Sequence, residues 1–290
     1  MTQDFNTKKN IQNWWANNPM TYGTTHGQTK FEEEAHSLGT KEFFDRLDQE
    51  FYSWNQPLHG KRPFDRLFPY EEYKKGRVLE IGCGLGTMLM NWAKVGADCT
   101  GVDLNPTSVE QTQKRFKIHG LNGTVRLEDA NHLPFRDNEF DYVYSWGVLH
   151  HSPNLEISIK ELFRVLKPGG GFGIMLYNRH SLQQWYMTDF VEGFIHNESQ
   201  WLSPLELNSR YGDGHREEGN PHTWPITKEE GLNYIIPFSQ DSGVKILGTD
   251  IEASSRLIMP GIGKFVPKFI VKALARRLGW SLWFYGHKSS

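Results

Sequence analysis

Short apolar runs alternate with helical patterns across the middle of the chain. Arg77 to Ile81, Asp98 to Val102, Thr124 to Glu128, Phe140 to Tyr144 and Gly171 to Leu176 have the length and flanking turn residues of buried strands. Between them, Thr87 to Val95, Pro106 to His119 and Ile157 to Leu166 repeat apolar residues at helical spacing. Strands and helices taking turns in this way predict a parallel sheet with crossover helices. The third helix meets Lys167-Pro168-Gly169-Gly170, a helix stop that predicts a tight turn into the next strand.

The flanks are patterned differently. Residues 1–75 look helical: Trp14 and Trp15 sit in a polar segment ending at Pro19, and Phe43, Phe44, Leu47 and Phe51 recur at helical spacing. Beyond residue 178, strands are expected at Val244 to Asp250 and Trp280 to Gly286, separated by insertions at about 179–243 and 254–279. The expected architecture is therefore α/β: a Rossmann-like, doubly wound, mostly parallel seven-stranded sheet with helices on both faces. Residues 1–75 would form a helical lid or cap, and 76–290 the main domain, with its insertions setting specificity.

Composition narrows the function classes. A length of 290 residues suits one core with appendages, and no run approaches the roughly 18 to 20 apolar residues of a membrane span. No leader pattern is visible at Met1 to Asn6, so a cytoplasmic location is expected. Cys83 and Cys99 both fall in segments that read as buried, which argues against a disulfide framework or a cysteine metal site. A net charge of −2 gives no electrostatic footprint for nucleic acid, and no such partner is expected.

The candidate chemistry begins at Glu80-Ile81-Gly82-Cys83-Gly84-Leu85-Gly86. Glycines at 82, 84 and 86 after a strand let backbone N–H groups approach a ligand at a helix start. A dinucleotide fingerprint would want glycine at 87, where the chain has Thr87, and no Gly-Lys-Ser/Thr phosphate loop is present. Glu80 would repel a pyrophosphate but suits a cationic amino-acid moiety. Asp103 ends the second strand seventeen residues beyond Gly86, near the interval at which such folds place a ribose-binding acid. Its alternative role is to cap the helix that begins near Pro106.

Val78 to Thr87 resembles the first motif of the class I S-adenosylmethionine-dependent methyltransferases, and Gly101-Val102-Asp103-Leu104 the acidic end of their second strand. Leu127 to Ala130, Phe140 to Val143 and Leu162 to Gly170 are similar to three further family motifs in the right order. The resemblance covers about residues 76–178 and is to the small-molecule enzymes with a type 11 methyltransferase domain. It implies S-adenosylmethionine as cofactor. Gly82, Cys83, Gly84 and Gly86 would pass near the methionine moiety, Asp103 would hold the ribose, and Leu104 would pack on adenine. Asp129 would accept from the adenine amino group, Ala130 would touch the ring, and Ser145-Trp146-Gly147 would line the sulfonium end.

Methyl transfer is an in-line displacement in which positioning and water exclusion do most of the catalysis, and a base is optional. His150 and His151, just after the fourth strand, are candidate bases; their competing role is to cap or pack the next helix. Tyr211 and His222 lie in Gly- and Pro-rich loops that read either as a polar pocket wall or as solvated insertions. Asp213, His215 and His222 lack metal-site spacing, so no metal is expected. Trp14 to Tyr22 is a candidate lid with Tyr22 reaching the cofactor. Lys264, Lys268, Lys272 and Arg276 recur every four residues, so 264–277 forms a basic amphipathic helix that lies on its own domain or on an anionic membrane. The expected activity is methylation of a small molecule at O, N, S or C. A membrane-associated quinone or lipid acceptor, and a non-catalytic cofactor-binding regulator, are the alternatives; oligomeric state is left open.

Overall fold

Val78, Leu79, Ile81, Val143, Ile174 and Leu176 are apolar residues on successive strands, and burying them requires cover on both faces of one sheet. The computed structural model describes residues 2–17, 38–212, 219–258 and 265–290. Its strands are Arg77–Ile81 (β1), Asp98–Asp103 (β2), Thr124–Leu127 (β3), Phe140–Trp146 (β4), Leu166–Tyr177 (β5), Gly243–Leu247 (β6) and Ser281–His287 (β7). They form one seven-stranded sheet, as expected from the sequence, and its order is β3-β2-β1-β4-β5-β7-β6. Strands β1 to β5 run parallel, and β7 inserts antiparallel between β5 and β6.

Alternation along β4 divides the interior. Tyr142 and Tyr144 join an aromatic core with Phe68, Trp92 and Trp283, whereas Val143 joins an aliphatic core with Leu79, Leu162, Phe172 and Leu176 on the other face. The crossovers Leu89–Lys94 (α3), Pro106–Ile118 (α4) and Leu155–Val165 (α5) link these strands. Because β2 and β4 lie on opposite sides of β1, the chain changes direction at the carboxyl ends of β1 and β4, the place where open α/β sheets leave a crevice.

Two strand boundaries depart from expectation by three residues or more. Strand β5 starts at Leu166, not Gly171: Leu166 pairs with Phe140, and a register shift between Phe140 and Tyr142 absorbs the Pro-Gly-Gly that reads as a turn. Strand β6 stops at Leu247, because Gly248 is pressed against the backbone of Ala275, 2.4 Å from where a side chain would begin.

The amino-terminal segments sit at the crevice. In Lys41–Trp54 (α2), capped by the Thr40 side chain accepting from Phe43 N at 3.2 Å, the buried face is Phe43, Phe44, Leu47 and Phe51. Asp48 on this helix pairs with fully buried Arg115 of α4, whose guanidinium also lies 5.2 Å over the Phe44 ring. Helix Thr2–Asn17 (α1) crosses the β2–α4 loop: Gln12 Nε2 donates to Leu104 O at 3.0 Å, and Asn105 Nδ2 donates to Trp15 O at 2.6 Å. After β5 come a π-helix at Gln184–Ile195, then Pro204–Tyr211 (α6), Lys228–Ile235 (α7), Ile251–Ile258 (α8) and Lys268–Leu278 (α9). Among the described residues, no helix is long and apolar enough to cross a membrane.

Candidate active site

Where β1 ends, the chain must turn sharply without losing its backbone partners, and Gly82 and Gly84 make this possible with φ of +79° and +50°. Gly82 N and Cys83 N both donate to Val102 O, at 2.7 and 3.0 Å, which fastens the turn to the end of β2. A side chain at Gly82 would begin 2.3 Å from Val148, so the turn is close-packed there; at Gly84 nothing lies within 4 Å. Gly84 therefore leaves backbone open to a ligand. Gly86 does not: it abuts Thr112 and is absent from the cavity wall.

Asp103 completes the turn. Its Oδ2 accepts from Gly84 N and its Oδ1 from Asn105 N, each at 2.8 Å. Each oxygen keeps a second acceptor position. Burial pushes this carboxyl up to about 6, against the pull of those N–H donors. The capping alternative is settled in detail, since Asn105 rather than Asp103 is the N-cap of α4, accepting from Thr107 N at 2.8 Å.

These residues open onto a cavity of about 550 Å³. Gly82, Cys83, Gly84, Asp103, Leu104, Asp129, Ala130 and Trp146 all line it. Glu80 lies at its base, almost wholly buried, with Oε2 unpartnered among the described residues, and burial raises its pKa well above the usual carboxylate range. Asp129 Oδ1 accepts from Asn131 N at 3.0 Å, and its Oδ2 meets Lys8 Nζ of α1 at 2.5 Å. Helix α1 also brings Ile11, Gln12 and Trp15 to the wall.

The opposite end of the cavity is aromatic. Tyr177 at the end of β5 and Trp280 before β7 stack with centroids 4.5 Å apart, because Tyr177 pairs with Ser281 in the antiparallel register. His151 lines this end and meets the edge of Trp15 at 5.1 Å. Its Nδ1 lies 2.9 Å from His222 O and 3.1 Å from Thr223 Oγ1, whose proton goes to Asn220 Oδ1 at 2.8 Å. Both neighbours thus present acceptors, so Nδ1 carries the hydrogen and Nε2 the lone pair.

Several sequence candidates take other positions. His150 does not reach the cavity: it is fully buried, stacked on Tyr177 at 3.8 Å, and burial drives its pKa well below the histidine norm. His222 contributes its carbonyl, with its ring off the wall and its pKa lowered to about 4 by burial and then by His151. Tyr211 ends α6 away from the cavity, and the Ser145 hydroxyl is spent on Ile81 O at 2.9 Å inside the sheet. Tyr22, Asp213, His215 and Lys264 lie outside the described residues.

Sequence reasoning missed Lys8, Tyr177, Trp280 and Asp250. Asp250, at the start of α8, accepts from Trp280 N at 3.0 Å and is raised to about 6 by burial. The signal that could have found it was the joint edge of β5 and β7, visible only once their antiparallel pairing is known.

Residues 79–174 match the family model for a methyltransferase domain. A sterol 24-C-methyltransferase of Gibberella zeae is 31% identical over 219 residues, 69% of this chain and 54% of its own. The methyltransferase GfsG of Streptomyces halstedii is 33% identical over 140 residues, 47% of this chain and 50% of its own. The chain spans about half the length of the curated relatives it matches. Among solved structures, a SAM-dependent methyltransferase of Thermotoga maritima, described as a possible histamine N-methyltransferase, superposes with a TM-score of 0.54 at 15% identity, covering 96% of this chain and 99% of its own. A SAM-dependent methyltransferase of Methanosarcina mazei gives 0.52 at 20% identity, covering 77% and 98%. At such identities the structural likeness is one of fold.

Proposed function

We propose, from the premise that this chain carries a class I S-adenosylmethionine-dependent methyltransferase domain, that it transfers the cofactor's methyl group to a largely apolar small molecule. One observation carries the reading: a single cavity joins the Gly82–Gly84 turn and Asp103 at one end to an aromatic wall with an oriented imidazole at the other.

The residues at the first end suit the cofactor. A buried carboxyl with an unpartnered oxygen, Glu80, answers an ammonium, open backbone at Gly84 admits a close approach, and Asp103 has acceptor positions left for two ribose hydroxyls. Leu104, Asp129 and Ala130 line the same cavity and would hold the adenine ring. When bound, S-adenosylmethionine supplies an electrophilic methyl group whose C–S electron pair stays on sulfur.

At the second end, His151 acts as general base: Nε2 takes the proton that the acceptor loses as its new bond to the methyl carbon forms. Tyr177, Trp280 and Trp146 give the acceptor an apolar seat, and α1, with Trp15 against His151, covers the cleft and keeps water out. The sterol methyltransferases among its relatives support an apolar acceptor, and quinones and other lipids belong to the same chemical class.

The test is a mass-spectrometric screen of polar and lipid extracts incubated with isotopically labelled cofactor. A labelled product from the lipid fraction is expected. Cofactor binding without any labelled product from either fraction would leave a binding protein and sink the proposed transfer.

A further inference from the structure

The insertions carry large apolar side chains that the fold does not cover. On the π-helix, Trp185, Phe190 and Phe194 stack on one another, successive centroids 6.0 Å apart, rather than against the domain. Trp185 is 57% exposed, Phe194 74%, and Trp201 just beyond it 82%. A second segment repeats the pattern: Phe269, at the start of α9, is 73% exposed. Exposed apolar area concentrated in this way marks an interaction surface.

The same helix carries charge. Lys268, Lys272, Arg276 and Arg277 stand on α9, and among the described residues none of them has an ion-pair partner. The chain as a whole is slightly acidic, at −2, so this is a local positive face rather than a general bias.

Both segments spring from the acceptor end of the cavity. The π-helix begins seven residues after Tyr177, and α9 ends two residues before Trp280. Helix α8, which starts next to Asp250 on the cavity wall, connects them: Ser254 Oγ donates to Gln183 Oε1 at 3.4 Å, and α8 packs on α9.

We propose that the surface formed by 184–201 and 265–278 docks on an anionic lipid bilayer, with the acceptor end of the cavity at the membrane. Aromatic side chains beside lysine and arginine are the composition that seats a helix in the headgroup region. Charge decides the occupant. Anionic headgroups complement α9, whereas a symmetric contact with a second copy would set like charges against each other. The purpose of docking rests on the methyl-transfer reading, since an apolar acceptor would enter from the lipid; docking itself is measured without turnover, so the two can fail separately.

The experiment is sedimentation of the full chain with vesicles of phosphatidylcholine, with and without phosphatidylserine. Partition should be roughly tenfold or more stronger with phosphatidylserine and should fall at high salt. K268E/K272E should lose roughly tenfold of the phosphatidylserine-dependent part. F194S/W201S should lose binding to both vesicle types. All variants should keep the parent melting temperature and cofactor affinity, because none of the altered residues lines the cavity. No partition of the parent, partition unmoved in both variants, or a dimer or protein complex abolished by F194S/W201S without any effect on vesicles, would overturn the proposal.

Discussion

Replacing Asp103 by Asn changes almost no volume, so its effect isolates the acceptor chemistry of the turn. In the parent both carboxylate oxygens receive a backbone N–H at 2.8 Å, from Gly84 and from Asn105. An amide has one oxygen, so one of these donors would face an NH2 group, and a bound ribose would lose an acceptor on the same side. Hydrogen bonds to a charged group are worth about 1.5–3 kcal/mol each, and both ribose hydroxyls would lose their charged acceptor, which costs about 3 kcal/mol or more of binding. That corresponds to roughly a hundredfold or greater loss of cofactor affinity. Titration calorimetry with S-adenosylmethionine measures it, with a thermal melt of the cofactor-free protein to show that the fold survives. The same experiment has a pH arm. Burial raises Asp103 to about 6, so the empty site is protonated below that pH and ionised above it. Ribose hydroxyls donate to the anion, so binding favours ionisation: affinity should be flat above pH 6 and fall roughly tenfold per unit below it. D103N should lack this slope. A folded D103N with affinity within threefold of the parent, or a parent affinity flat from pH 5 to 7, would refute the assignment of Asp103 to the ribose.

Four further outcomes are expected. Gly82→Ala should destabilise the fold by about 2 kcal/mol or more, through a positive φ and a clash with Val148 that V148A partly relieves. Gly84→Ala, with open space around it, should cost only about 1 kcal/mol in a denaturant melt yet weaken cofactor binding, because its methyl group occupies the approach. His151→Gln should lower turnover about 10²- to 10⁴-fold with the cofactor Kd unchanged in calorimetry. Asp48→Ala should cost about 3–5 kcal/mol in thermal stability, since it leaves buried Arg115 without its carboxylate.

The sheet was legible because its strands are covered on both faces: Val78 to Ile81 and Phe140 to Tyr144 have little choice but to be central. The start of β5 was not, because Pro168-Gly169-Gly170 carries a turn's local preferences, and only the pairing of Leu166 with Phe140 draws it into the ladder. The cofactor half was legible for a related reason. Gly82, Gly84 and Asp103 lie within one β-α-β unit, where the spacing along the chain is also the spacing in space.

The acceptor half has no such economy. His150 and His151 are adjacent and chemically identical, and the sequence offers no means of choosing between them. The choice is made by His222 and Thr223, 71 and 72 residues further on, whose carbonyl and hydroxyl oxygens take the Nδ1 hydrogen of His151 and so place its lone pair on Nε2. Tyr177 draws the other imidazole into a buried stack at 3.8 Å, where burial keeps it neutral. Trp15, from the far end of the chain, closes against His151 at 5.1 Å. The base proposed at His151 is thus oriented by long-range contacts, independently of the turn proposed to hold the donor. Among the described residues the insertion at 179–243 puts no side chain on the cavity wall; it supports the wall from behind, through His222 and Thr223 on His151, while Thr249, Asp250 and Trp280 bring the later segments to the wall itself.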